Sequence, residues 1–448
     1  MARLRGSPTS LLGHMVQNAG ANLLMPLSSV ITGPLLARAL DPSGRGAMAA
    51  LLVPISLANL LFTLGLPETL AFHVARRRID RRGAIVVSLV GGALAGLVST
   101  AVLWAITPML LRNYPDQQTA FRFLSLTLPL SLTFAAGRGI VQGRRRFELV
   151  AYERFTGVVL RLALLVLLLL VGLLTPLSAA WVTVLSAIVG SLFLLRCFFG
   201  RSAPVEEPAR YRTVSQFAAT AAIATFGSVL VLRLDQTLMT PLTSPEQLGF
   251  YAVAVSLAEL PFALALAARD VVTTVAADTH DPGYSAMVSR RALLIVVPLS
   301  LVGVALAPFA IPLLFGDPFR PAVPMTQILF VGTFASTISV ILSGGLLSTG
   351  RPALPAIVMT AGAVLTVPAL FLLVPRWGGV GAAVATTTTY VVVGVLTAVI
   401  FARVARLPLR QCWFPDRADV DAVMVGARRL TSRRPASENA DERNHEGA

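Results

Sequence analysis

From residue 11 to 404 the chain alternates long apolar runs with short breaks that carry arginine. Runs of roughly 19–29 residues can cross the hydrocarbon core of a bilayer, the longer ones with tilt. The pattern predicts twelve helices, at 11–37, 47–73, 84–111, 120–143, 156–174, 178–199, 214–240, 249–275, 292–315, 323–349, 353–375 and 379–404. The first follows Arg3 and Arg5 and ends near Ala37-Arg38-Ala39, in the manner of a secretory signal. Its apolar stretch is too long for one and contains Gln17, Asn18, Asn22 and Pro26, so it is read as a span. No connection before residue 405 exceeds roughly fifteen residues, which leaves no room for a soluble ATPase or transferase domain.

Composition agrees with that pattern. Of 448 residues, 55% are hydrophobic and 13% charged, too few charges for the surface of a soluble domain. All 37 basic residues are Arg, so no Walker or Schiff-base lysine exists. Cys197 and Cys412 lie far apart, and His14, His73, His280 and His445 are scattered, so neither a disulfide framework nor a metal site is expected. No enzyme chemistry and no cofactor are expected.

Arginine also sets the orientation. With the N-terminus inside, 25 arginines fall in cytoplasmic segments, 5 in outer loops and 7 within spans. This places both termini of a multi-pass cell-membrane protein in the cytoplasm. Arg76-Arg77-Arg78 with Arg81-Arg82, and Arg144-Arg145-Arg146, then sit just inside the membrane, where they control topology and meet anionic lipid headgroups. The net charge of +15 therefore points to a membrane surface and not to nucleic acid. After residue 431 almost nothing is apolar, which predicts disorder. Before it, Val420, Val423, Ala427 and Leu430 are spaced to form one face of a helix lying on the membrane.

The two halves repeat. Pro42 and Gly46 after span one match Pro245 and Gly249 after span seven at one offset. Gly143-Arg144 resembles Gly350-Arg351, and Ser178-Ala179-Ala180 resembles Gly381-Ala382-Ala383, at nearly the same offset. Six helices return the chain to its starting side, so the repeat is parallel and the substrate path is expected between the halves. The expected organisation is a cytoplasmic N-terminus at 1–10, one lobe at 11–199, a linker at 200–213, a second lobe at 214–404 and a largely disordered cytoplasmic tail at 405–448.

At these residues the chain resembles the bacterial polysaccharide flippases, of the lipid-linked oligosaccharide or O-antigen type. Leu35-Leu36-Ala37-Arg38-Ala39-Leu40-Asp41 leading to Gly46 is similar to their opening signature, and Leu234-Asp235-Gln236-Thr237-Leu238-Met239 followed by Gly249-Phe250-Tyr251-Ala252-Val253-Ala254 to their seventh-helix signature. Phe315-Gly316-Asp317-Pro318-Phe319 and Ser348-Thr349-Gly350-Arg351-Pro352 match the family's style at later helix ends. The resemblance implies an all-α integral membrane protein of about twelve transmembrane helices in two pseudo-symmetric six-helix lobes, like the related multidrug extruders. It also implies a secondary flippase that moves a polyprenyl-pyrophosphate-linked oligosaccharide to the outer leaflet for cell-surface polysaccharides such as lipopolysaccharide. A polysaccharide polymerase or ligase would act beside it, and the chain is read as a monomer.

Eight ionisable residues fall inside the predicted spans: Glu68, Arg138, Arg161, Arg233, Asp235, Glu259, Arg269 and Asp270. A charge at mid-bilayer costs about 2.5–3.5 kcal/mol on insertion scales, so each should face protein or water. Arg138, Arg161, Arg233 and Arg269 are candidate pyrophosphate or cavity residues, because a guanidinium fork binds phosphate oxygens in pairs. Snorkelling to headgroups, or pairing with acids, is the competing role. Arg138, flanked by Gly137 and Gly139, is the first choice for pyrophosphate, while Arg161 is placed in the cytoplasmic half. Asp235 and Glu259 are either ion-coupling carboxylates or partners of the arginines. Glu68, just after Pro67, marks a point where a broken helix would expose backbone. Asn18 and Asn22 share one helix face and suit sugar hydroxyls or interhelical bonds. Three rival readings are a small-molecule exporter of the multidrug-extruder or major-facilitator kind, the latter on Asp80-Arg81-Arg82-Gly83, a lipid-phosphate glycosyltransferase, and a non-transporting scaffold, in which charges within the spans would have no purpose. The second fails because the first outer loop is short, with Asp41 its only acid.

Overall fold

The computed structural model describes residues 8–63, 65–197, 230, 233–279, 281–349, 351 and 353–431, without the side chains of 8–27, 30, 197, 274–279 and 426–431. Among these residues the fold is all-α. Its helices are α1 (Pro8–Phe62), α2 (Leu66–Ala75), α3 (Arg81–Val86), α4 (Gly92–Leu110), α5 (Gln118–Ser125), α6 (Leu128–Gly143), α7 (Phe147–Leu170) and α8 (Pro176–Ser191). The second half has α9 (233–242), α10 (Pro245–Thr279), α11 (Pro282–Phe315), α12 (Ala322–Ser348), α13 (Ala353–Ala405), α14 (Arg410–Trp413) and α15 (Arg417–Thr431).

Length and composition alone qualify seven of the described helices as spans, or eight with the pair Pro115–Ser125 and Leu128–Gly143, bent by 44°. Internal breaks raise that number. A straight helix of 55 residues such as α1 would be about 80 Å long, far beyond a bilayer core. Its break falls at Asp41 (φ 57, ψ 173), immediately before Pro42, which has no N–H to continue the ladder. The 53-residue α13 breaks in the same way at Gly378 (φ 56). A third break, at Gly65 (φ 65), separates α1 from α2, close to Pro67 as the sequence suggests. With these breaks, eleven of the twelve expected spans lie among the described residues, and α9 supplies the last turns of the seventh. The rest of that span, the 200–213 linker and the tail after 431 lie outside the described residues.

Two boundaries differ from expectation in ways that matter. The second span starts at Pro42, so Arg45 belongs to a helix and not to an outer loop. The fifth starts at Phe147 instead of 156: Glu148 stays exposed in its first turn, while Glu153 is buried and Arg154 half-buried against protein. Arg161 therefore lies beyond the midpoint of α7, away from the arginine-rich end where α2 and α6 finish.

The outer surface of the bundle is apolar. Leu97, Val98, Leu170, Phe309, Leu313 and Val364 are all more than half exposed, as lipid-facing side chains must be. Small residues draw helices together inside: Gly92 and Gly96, one turn apart on α4, lie against the backbone of Thr133 and Pro129, so close that a Cβ would meet it at 2.5 and 2.3 Å. Opposite the arginine-rich end, the two halves meet. Pro42–Gly46 lies against Pro245–Gly249, the glycine of each repeat facing the proline carbonyl of the other. Nearby, the Arg112 Nε donates to the Pro241 carbonyl at 2.7 Å, and the Asn113 amide donates to the Pro241 and Thr243 carbonyls at 3.1 and 2.9 Å. Arg38 donates to the carbonyls of Leu313 and Leu314.

The C-terminal helix α15 docks on α11 by charge. Buried Asp419 accepts from Arg290 Nε at 2.6 Å and from Arg291 Nε at 3.1 Å. Arg290 also donates to the Gln411 carbonyl at 2.7 Å. Of the expected interfacial face, Val420 is exposed and Val423 half-buried, while the side chains of Ala427 and Leu430 lie outside the described residues.

Candidate functional site

A cavity of about 400 Å³ lies between the halves. The first half contributes Ser29 and Leu60 from α1 and Arg161 from α7, and α9, α10, α12 and α13 close the rest. Arg233 and Glu259 form an ion pair across it at 2.9 Å, their side chains 34% and 40% exposed. Each was an isolated charge in sequence; α9 and α10 bring them face to face.

Arg161 is placed differently. Its Nη2 donates to the buried Ser28 Oγ at 2.5 Å, and its Nε is buried with no hydrogen-bond partner among the described residues. An unsatisfied guanidinium N–H costs roughly 1–3 kcal/mol, more than a neutral group would, unless something enters to accept from it. Arg45 Nε is in the same condition, its Nη1 reaching only the Met48 sulfur at 3.6 Å. Sequence reasoning missed Arg45 because it placed that residue in a loop.

Asp235 stands at the cavity wall, 4% exposed. Its carboxylate accepts from the Tyr251 hydroxyl at 2.5 Å, the Gln236 N–H at 2.7 Å and the Thr386 hydroxyl at 3.2 Å. Tyr251 and Thr386 are themselves 3.0 Å apart. The hydroxyls come from α10 and α13, so three helices converge on one carboxylate, and among the described residues no arginine bonds to it. The run Thr386–Thr389 was the only sequence signal for this, and Tyr251 had none beyond its place in a signature.

The other candidates lie elsewhere. Arg138 does not line this cavity: its Nε and Nη2 hold the two oxygens of Glu153 at 3.0 and 2.6 Å, and Ser191 donates to the same carboxylate at 3.0 Å. This corrects the expectation that Arg138 offers its fork to a ligand. The physical reason is the early start of α7, which carries Glu153 into the packing of α6, α7 and α8, where it is 4% exposed. Arg269 packs on α12 at Gly344, outside the cavity lining, with its Nε buried. Glu68 is exposed in the first turn of α2 and also outside it. Asn18 and Asn22 lie on α1, and their side chains are outside the described residues.

Residues 35–324 match the family described as polysaccharide biosynthesis protein. No curated protein matches the chain. Among solved structures, the lipid II flippase MurJ in its inward closed conformation is similar at TM-score 0.71 and 12% identity, over 95% of this chain and 94% of that one. An inward-facing multidrug-resistance transporter of the MATE family, in the MOP superfamily, gives 0.67 and 15%, over 87% and 98%. A MOP-superfamily transporter from Pyrococcus furiosus gives 0.57 and 14%, over 90% and 97%. At these identities the likeness is one of fold.

Proposed function

The chain belongs to the polysaccharide biosynthesis protein family, and on that premise we propose that it is a secondary flippase for a polyprenyl-pyrophosphate-linked oligosaccharide. The observation that carries the proposal is Arg161, a cation in a cavity between the halves with a buried N–H that has no acceptor among the described residues. A lipid pyrophosphate cannot cross hydrocarbon alone, and a cationic site must replace its hydration. Arg161 takes that role in place of Arg138, whose fork Glu153 occupies. Arg233, half-neutralised by Glu259, is the second contact.

The arginine-rich end faces the cytoplasm, and with it both termini. The glycine–proline contacts and the Arg38, Arg112 and Asn113 bonds then close the outer side, so the described state receives substrate from within. Release requires those contacts to part. Asp235 is the coupling group: a proton or monovalent cation on its carboxylate would loosen the hydroxyls of Tyr251 and Thr386 and so the packing of α10 on α13. With no lysine in the chain, a Walker ATPase is absent and the driving force is an ion gradient or the membrane potential. A polysaccharide polymerase or ligase would take the product.

The test is delivery of labelled lipid-linked oligosaccharide to the outer leaflet of proteoliposomes. Arg161→Gln should lower the rate at least tenfold while the protein inserts normally, and Arg161→Lys should retain part of it. Normal delivery by Arg161→Gln would overturn the assignment of Arg161; delivery at the same rate in protein-free vesicles would overturn the flippase reading. One observation favours export of a small organic cation instead: the cavity holds as many acids as arginines. In that case organic cations, not lipid pyrophosphates, would compete for binding.

A further inference from the structure

Arg45 and Arg161 each have a buried Nε with no hydrogen-bond partner among the described residues, and neither forms an ion pair with a described acid. Arg161 reaches the neutral Ser28 hydroxyl, and Arg45 reaches only the Met48 sulfur. Residues 1–40 contain no Asp or Glu, so the first part of α1, whose side chains are described only in part, offers neither arginine a carboxylate. The nearest acid along the chain, Asp41, is exposed at the break of α1. A buried water satisfies an N–H but leaves the charge, and a buried charge without a counter-charge lowers stability.

Their places in the bundle give the two arginines a direction. Met48 and Leu165 belong to one buried apolar cluster, with Leu36, Leu40 and Ala179. Arg45 stands one turn before Met48, toward the closed end at Gly46, whereas Arg161 stands one turn before Leu165 on α7, toward the arginine-rich end. They therefore flank this layer, near enough for their like charges to repel. Arg161 lines the central cavity and Arg45 does not. Arg45 also adjoins Gly46, whose approach to Pro245 holds the halves together at that end. An apolar side chain at position 45 would suit the cluster better, so the arginine is kept at a cost in stability.

We infer that Arg45 is the release-side contact for the pyrophosphate, taking it over from Arg161 as the halves part at Gly46. The inference rests on the flippase reading and extends it from a loading site to a path. A pyrophosphate has two phosphate groups, so one can stay on the first guanidinium fork while the other meets the second. Met48, unbranched and flexible, is the part of the apolar layer that yields as the anion passes. Two cations that are costly when empty are satisfied in turn by the same anion. A residue so placed adds nothing to loading and acts on transit.

The test makes three measurements on the full-length protein: equilibrium binding of labelled polyprenyl-pyrophosphate-linked oligosaccharide in detergent, its delivery to the outer leaflet of proteoliposomes, and thermal unfolding. Arg45→Gln should bind the lipid within twofold of wild type and deliver it at least tenfold more slowly. Arg45→Lys should recover part of the rate, and Arg45→Met none. Arg45→Met should unfold at the wild-type temperature or above it, because an unpaired buried charge has gone, and it carries the test if the Gln variant does not fold. Normal delivery by Arg45→Met would overturn the inference. So would a loss of binding equal to the loss of delivery, which would put Arg45 at the loading site. Unfolding several degrees lower in both neutral variants would make Arg45 a packing residue and overturn it too. Delivery that needs chloride in wild type but not in Arg45→Gln would make the occupant a halide and overturn the pyrophosphate. Wild-type protein that neither binds nor delivers the lipid would overturn the flippase reading, and this inference with it.

Discussion

Gly46 and Gly249 form a reciprocal pair across the two halves: a Cβ on Gly46 would lie 1.8 Å from the Pro245 carbonyl oxygen, and one on Gly249 2.0 Å from that of Pro42. Each backbone nitrogen is also about 3 Å from the other glycine's Cβ position. A contact in which residue and partner exchange roles is what a twofold-related repeat produces. Real Cβ atoms do not approach backbone so closely, so neither glycine tolerates alanine in this state.

Gly46→Ala should therefore hold that end apart. In a Cys197→Ser background, Ser336→Cys in the cavity should label faster with an impermeant maleimide added from that side. Cys412 should stay silent, because burial pushes its thiol up to about 11, with only partial relief from Arg290. Unchanged labelling would show that the glycine contact does not close the cavity.

Breaking the pair between Arg138 and Glu153 should affect stability before transport. Glu153→Gln leaves a guanidinium poorly matched, at a cost of about 2 kcal/mol given that Arg138 is a third exposed. Thermal unfolding in detergent should show a fall of several degrees, partly restored in Arg138→Gln/Glu153→Gln. Transport by the double variant within threefold of wild type would confirm a structural role; a loss above tenfold would return Arg138 to the substrate path.

Asp235→Asn should uncouple transport. Net delivery driven by an ion gradient should fall at least tenfold, while exchange of substrate between two sides at equal concentration persists. Loss of both activities in well-folded protein would make Asp235 a substrate or packing residue instead.

Docking of α15 should resist mild acid. Burial pushes the Asp419 carboxyl up, but bonds from Arg290, Arg291 and the Asp416 N–H outweigh it and hold the group below the usual carboxylate range. A depressed carboxylate contributes stability that is complete above its unfolded value near 3.9 and is lost as pH falls through the lower folded value. Hydrogen exchange over residues 417–425 should thus stay slow from pH 7 to about pH 4 and quicken only below it, whereas Asp419→Asn should quicken it at pH 7. Equal protection in the variant would mean that apolar contacts hold the helix.

Hydropathy determined the class of fold, since only a long apolar helix satisfies its own backbone in lipid, and that requirement is written locally in every span. The repeat was legible too, because Pro42 with Gly46 and Pro245 with Gly249 mark one turn used twice. Charge inside the spans limited where function could lie, and Arg161, Arg233, Asp235 and Glu259 do meet at one cavity. Which of them pair was decided only in three dimensions. Arg233 finds Glu259 and Arg138 finds Glu153 through helix packing and through where α7 begins, neither of which a hydropathy window registers. The hydroxyl set around Asp235 joins residues 235, 251 and 386, and Arg45 left its presumed loop because a single residue, Asp41, makes the whole turn. A partner's identity depends on distance across helices, while the sequence records only distance along the chain.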